Sequence, residues 1–112
     1  MPLPNNIATI ENGAAVSSVI SKGAKTFTKM FVTNFTGPTV LFFETSDDGI
    51  TYRNMQTYVP AATTPLNTLS VTPGTANFMI SFEPWILESV SFLRFTANGN
   101  ISGGVACEIV LF

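Results

Sequence analysis

Histidine is absent from this sequence, and cysteine occurs once, as Cys107. Without an imidazole, Ser-His and Cys-His nucleophilic pairs and most zinc sites are excluded. One thiol can close no intrachain disulfide and build no thiolate metal cluster. Cys107 stands among apolar residues in a strand-like stretch and reads as a small buried hydrophobe, not a nucleophile. Charge is the next shortage. Charged residues make up 11% of the chain, where about 25% is ordinary. Five basic and seven acidic side chains leave a net charge of -2, which excludes the broad positive field that nucleic acid requires. Lys22, Lys25 and Lys29 form the densest basic group, too small for phosphate tracking, and read as a solvated strand face. Long apolar runs are missing too. Stretches such as Val40–Phe43 are far shorter than a membrane span, and Met1-Pro2-Leu3-Pro4 does not read as a signal peptide.

What is present is apolar and β-rich. Hydrophobic residues reach 46%, with ten phenylalanines. A 12.0 kDa chain exposes roughly 6,000 Å² when folded, so twelve charges cover it thinly. A surface this short of charge suggests that other chains cover part of it.

The length of 112 residues fits one domain. Positions 1–6, with Pro2, Pro4, Asn5 and Asn6, read as an extended arm, and 7–112 as a single domain. Strand-like runs follow at Ile7–Glu11, Val16–Ser21, Thr26–Asn34, Thr39–Glu44, Thr51–Thr57, Leu66–Val71, Asn77–Glu83, Ser89–Ala97 and Gly103–Phe112. Phe27, Lys29, Phe31 and Thr33 share one face of the third run, with Met30 and Val32 on the other. In the last run Val105, Cys107, Ile109 and Leu111 align. Turn signals separate the runs: Asn12-Gly13, Lys22-Gly23, Gly37-Pro38, Asp48-Gly49, Thr72-Pro73-Gly74-Thr75 and Asn98-Gly99-Asn100, the last read as a hairpin turn. Pro60–Pro65 is a loop. Seven to nine short strands without significant helix predict an all-β, antiparallel, jelly-roll-like sandwich. The Ser46–Gly49 turn is expected to set the register between Val40–Phe43 and Thr51–Thr57.

Three constellations invite chemistry, and each has a plainer explanation. Asp47 and Asp48 resemble half of a calcium site, yet Asp before Gly is what a turn demands. Glu83 and Glu88 bracket Trp85 as a glycosidase pair would, but nothing else suggests an enclosed pocket, and solvated loop ends suffice. Tyr52, Tyr58 and Trp85 could stack on a sugar, although aromatics are equally at home in cores and interfaces. No catalytic, cofactor-binding or metal-ligating residue is therefore assigned, and no enzyme is expected.

The segments Ile7–Ser17 (IATIENGAAVS), Leu41–Tyr52 (LFFETSDDGITY) and Val90–Phe95 (VSFLRF) occur in an order that resembles small all-β proteins of tailed bacteriophages. The resemblance implies a virion component, of the capsid decoration (cement), head-fibre or tail type. It implies a mechanical role, in which copies bind a lattice of major capsid protein, or other virion proteins, and bridge its subunits. The expected partners are the chain itself, as a homo-oligomer with a trimer as first choice, and those virion proteins; nucleic acid and membranes are not expected. The residues expected at interfaces are the arm residues Met1, Pro2, Leu3 and Pro4. Val40, Phe42 and Phe92 join them, because their strands are apolar on both faces. A tail or fibre component, or a glycan-binding module using Tyr52, Tyr58 and Trp85, is the alternative.

Overall fold

The computed structural model describes residues 6–23, 25–58, 66–68, 70–71, 77–82, 87 and 90–112. The arm residues Met1–Pro4, the Pro60–Pro65 loop, the Thr72–Thr75 turn and Glu83, Trp85 and Glu88 lie outside them. The described residues form eleven strands: β1 (Ile7–Ile10), β2 (Ile20–Ser21), β3 (Lys29–Thr33), β4 (Leu41–Ser46), β5 (Arg53–Asn54), β6 (Gln56–Tyr58), β7 (Leu66–Thr68), β8 (Ser70–Val71), β9 (Phe78–Ser81), β10 (Phe92–Ala97) and β11 (Cys107–Leu111).

Two antiparallel sheets carry the fold. The first has the order β1-β11-β3-β9, and the second β2-β10-β4-β5, with β8 also paired to β4. Strands β1 to β4 alternate between the sheets, the chain turns back at the β4–β5 connection, and β9, β10 and β11 alternate again. Each outgoing strand thus lies beside a returning one, which is jelly-roll topology. β6 and β7 make a separate two-stranded ribbon.

Period-2 alternation explains the core. Ala8, Ile10, Met30, Val32, Cys107, Ile109 and Leu111 of the first sheet are buried against Leu41, Phe43, Leu93, Phe95 and Ala97 of the second. Phe43 meets Phe95 edge-on at 5.0 Å between ring centroids and Phe82 at 6.4 Å, while Phe35 meets Phe78 at 6.1 Å. Truncating a fully enclosed ring such as Phe95 costs about 3–5 kcal/mol. Ser17 closes the flank of β10: its N–H donates to Phe95 O at 2.9 Å, and its Oγ accepts the Phe95 N–H at 2.8 Å.

Several local expectations are corrected. Asn98-Gly99-Asn100 is a crossover and not a hairpin, because β10 and β11 belong to different sheets. The tight hairpin turn that Asn-Gly favours needs positive φ at both central residues, and Gly99 is not among the positive-φ glycines. Asn98 reaches instead to the start of β4, its Oδ1 accepting the N–H groups of Thr39 and Val40 at 2.8 and 2.9 Å. Phe27 does not share a face with Phe31. It precedes β3 and is buried in the core, whereas Phe31 is half-exposed. Val105 also falls outside the row of Cys107, Ile109 and Leu111; it is exposed and precedes β11. Of Val16–Ser21, only Ile20–Ser21 is a strand, with Val16 making an isolated bridge to Thr96. Lys22 is buried while Lys25 and Lys29 are exposed, so the three lysines share no solvated face. Asn6 is tied to the sheet: Leu111 N–H donates to its carbonyl at 2.8 Å.

Gly37 stands where the β3–β4 connection presses on the β10–β11 crossover. Its φ is +101°, and a Cβ there would meet Ser102 Oγ at 2.7 Å and Asn100 O at 2.8 Å. Gly13 has a similar φ of +89° with open space around it. Gly13→Ala is therefore expected to cost about 1–2 kcal/mol from backbone strain alone, and Gly37→Ala at least about 1 kcal/mol more, because backbone must shift as well. Urea denaturation of the two variants measures the difference; equal losses would show that the two loops are not in tight contact.

Candidate interaction surface

Of the residues singled out for interfaces, Val40, Phe42 and Phe92 are among those described, and they lie on the outward side of the second sheet. β4 and β10 pair as Ala97↔Leu41, Thr96↔Phe42, Phe95↔Phe43, Arg94↔Glu44, Leu93↔Thr45 and Phe92↔Ser46. The odd-numbered members point to the core, so the outward rows are Phe42 with Thr96, Glu44 with Arg94, and Ser46 with Phe92. Val40, one step before β4, has the same parity as Phe42. Val40, Phe42 and Phe92 are all half-buried, and they flank the central charged row.

The charged row is tightly made. Arg94 Nε donates to Glu44 Oε1 at 2.6 Å, with the side chains 30% and 17% exposed. The guanidinium carbon lies 4.1 Å from the centroid of the Tyr52 ring, a cation–π contact in a partly desolvated setting. One face of Tyr52 is thereby occupied by Arg94 rather than open to a sugar. Tyr58 lies on β6, outside this sheet, and Trp85 lies outside the described residues, so Tyr52 is the one member of that trio placed on this face. The Tyr52 hydroxyl and Thr96 Oγ1 are buried without a hydrogen-bond partner. Each such group costs about 1–3 kcal/mol.

The Asp-Gly turn borders this face. Asp48 Oδ1 accepts the Ile50 and Thr51 N–H groups at 2.8 and 2.9 Å and the Ser46 hydroxyl at 2.8 Å. Ser46 Oγ in turn accepts the Gly49 N–H at 2.9 Å. Gly49 has φ +77°, and the Phe92 ring lies 3.4 Å from where its Cβ would be, so the turn doubles as a seat for that ring. The carboxylate serves the turn itself, and among the described residues no cluster of three or more acidic, Cys or His side chains could hold a metal.

The turn pairs less strand than expected. β5 faces only Glu44 and Thr45, and Met55 N–H reaches Phe43 O at 2.8 Å; beyond that, β8 takes over against Leu41 and Phe42. The stretch Thr51–Thr57 therefore splits, its second half leaving for the ribbon as β6. Leu66–Val71 likewise divides into β7 and β8.

Cys107 is fully buried, and desolvation pushes its thiol up to about 11, which keeps it protonated and inert. The Glu44–Arg94–Tyr52 stack was not visible in the sequence. Arg94 is distant in the chain from Glu44 and Tyr52, and the β4–β10 register brings it between them.

Two outcomes follow from these contacts. In a double-mutant cycle, Glu44→Gln and Arg94→Met should show a coupling on the order of 1 kcal/mol. Arg94→Lys should recover only part of it, because the ammonium loses the planar stack on Tyr52; full recovery would mean the stack contributes nothing. The hydrogen bonds from Thr51, Ile50 and Ser46 lower the Asp48 carboxyl to about 2. Since the folded value lies below the unfolded one, this contribution is complete above about pH 4 and is lost as pH falls towards 2. A carboxyl NMR titration of Asp48 with a midpoint at an ordinary aspartate value would contradict the turn geometry.

No family model matches the chain, and no curated protein matches it. Among solved structures, the crystal structure of SPBc2 prophage-derived protein YomS matches with a TM-score of 0.46 and 12% identity, over 100% of this chain and 97% of that one.

Proposed function

We propose that this chain is a structural, non-enzymatic component of a bacteriophage particle: a decoration protein that self-associates, binds the head and bridges capsid subunits. The observation that carries the reading is the outward face of the second sheet. An antiparallel sandwich ordinarily turns polar side chains to solvent there, whereas this one presents Val40, Phe42 and Phe92 around a half-buried Arg94–Glu44 pair. Such a face, on a chain with 11% charged residues, is suited to being packed against protein. The motif resemblance to tailed-phage proteins supplies the setting, and jelly rolls are frequent in viral capsids. Val40, Phe42 and Phe92, with Met1–Pro4, are the proposed contacts to capsid subunits.

A cryo-EM map of the particle whose genome encodes the chain tests the proposal directly. Density for this jelly roll at regular sites on the head, lost or weakened in a Phe42→Ser variant, is the expected result. Density confined to the tail or its fibres, or no density on the particle, would overturn the head assignment.

A further inference from the structure

The outward face of the first sheet holds a feature that the head-binding face does not need. Across its four strands the register runs Ile7↔Val110, Val110↔Phe31 and Phe31↔Met79. These four side chains alternate with buried Ala8, Ile109 and Val32 and with half-buried Ile80, so they form one apolar row across the outer surface of the sheet. Met79 is 57% exposed, and Ile7, Phe31 and Val110 are half-buried. On one flank lies the row Thr9, Glu108 and Thr33. On the other lie Lys29, Ser81 and Phe112. Lys29 pairs with Ser81, and Lys29 and Phe112 exchange backbone hydrogen bonds at 2.9 and 3.2 Å. Phe112 is also 57% exposed. Glu108 and Lys29 are both exposed, and among the described residues neither takes part in an ion pair.

We infer that this face packs against the same face of a second copy, about a two-fold axis running along the Ile7–Val110–Phe31–Met79 row. Charge decides both the partner and the axis. A rotation about the row lays each apolar residue on its counterpart and exchanges the flanks. Glu108 of one copy then comes over the flank holding Lys29 of the other, twice by symmetry. A rotation about the strand direction would instead keep each Glu108 over the flank of the other Glu108 and each Lys29 over the flank of the other Lys29, which like-charge repulsion disfavours. Sheets packed face to face lie about 10 Å apart, a gap that extended Glu and Lys side chains span together. The face therefore carries, on its two flanks, the opposite charges that its own copy requires.

Four strands at about 4.8 Å spacing and some five residues at about 3.4 Å give a footprint of roughly 19 Å by 17 Å. That is smaller than a standard interface of about 800 Å² per partner, so a dimer of micromolar affinity is expected. The pairing deepens the self-association in the proposed function and leaves the second sheet free for the head. It can fail without that reading failing.

Sedimentation equilibrium of the full chain up to several hundred micromolar provides the test. The wild type should be a monomer–dimer system. Phe31→Ser should abolish the dimer. Glu108→Lys or Lys29→Glu alone should weaken it about tenfold or more through the two symmetric contacts, and the double exchange should restore it. Circular dichroism of the variants shows whether each remains folded, and the charge exchange decides the matter if Phe31→Ser does not fold. A monomer throughout, a trimer, or a dimer indifferent to both charge reversals would overturn the pairing. A chain that decorates heads as a monomer would overturn the pairing and the self-association, and leave the head binding standing.

Discussion

The register between β4 and β10 is the constraint on which the rest of the molecule depends. It sends Leu41, Phe43, Leu93, Phe95 and Ala97 inward. The same pairing sends Phe42, Glu44, Phe92, Arg94 and Thr96 outward. A slip by one residue would put the Arg94–Glu44 pair into the aromatic core, where desolvating two charges costs several kcal/mol each. It would also turn the enclosed Phe95 ring out to water. The two penalties act together, and one register survives. The outward face is thus a consequence of the core, and its composition is where function can be read.

Both sheets follow that logic to different ends. The second sheet surrounds a satisfied ion pair with Val40, Phe42, Phe92 and the Tyr52 ring, so its charge is neutralised within the chain. The first leaves Glu108 and Lys29 on opposite flanks of an apolar row. A face whose charges are already paired suits packing against a foreign surface, because it asks little of the partner electrostatically. A face whose charges are separated suits a partner bearing the complementary arrangement, and a rotated copy of itself bears it. On the proposed reading, the chain would hold its own kind with one sheet and a capsid lattice with the other.

Much of the fold was legible along the chain because antiparallel strands of a sandwich alternate between core and exterior. Met30 and Val32 against Phe31 and Thr33, or Phe78 and Ile80 against Met79, announce their faces residue by residue. The Ser46–Gly49 turn was legible for a local reason, since Asp48 and Gly49 satisfy the turn's own backbone. Local signals misled where the decisive partner was distant. Asn98-Gly99 carries a hairpin signature, yet Asn98 spends its carboxamide on Thr39 and Val40, and the chain crosses to the other sheet. Phe27 keeps the parity of Phe31, but it stands two residues before the strand, which begins only at Lys29, and its side chain is buried in the core.

The sequence alone thus determined the class of the protein: all-β, poor in charge, without imidazole or paired thiols. Those properties follow from composition and period-2 alternation, which are local. Only the tertiary structure decided the interleaving of outgoing and returning strands, the stack of Arg94 on Tyr52 beside Glu44, and the joining of Ile7, Phe31, Met79 and Val110 into one row. Cross-strand neighbours are set by register between segments far apart in the chain, and register is fixed by the simultaneous burial of both sheets rather than by any single segment.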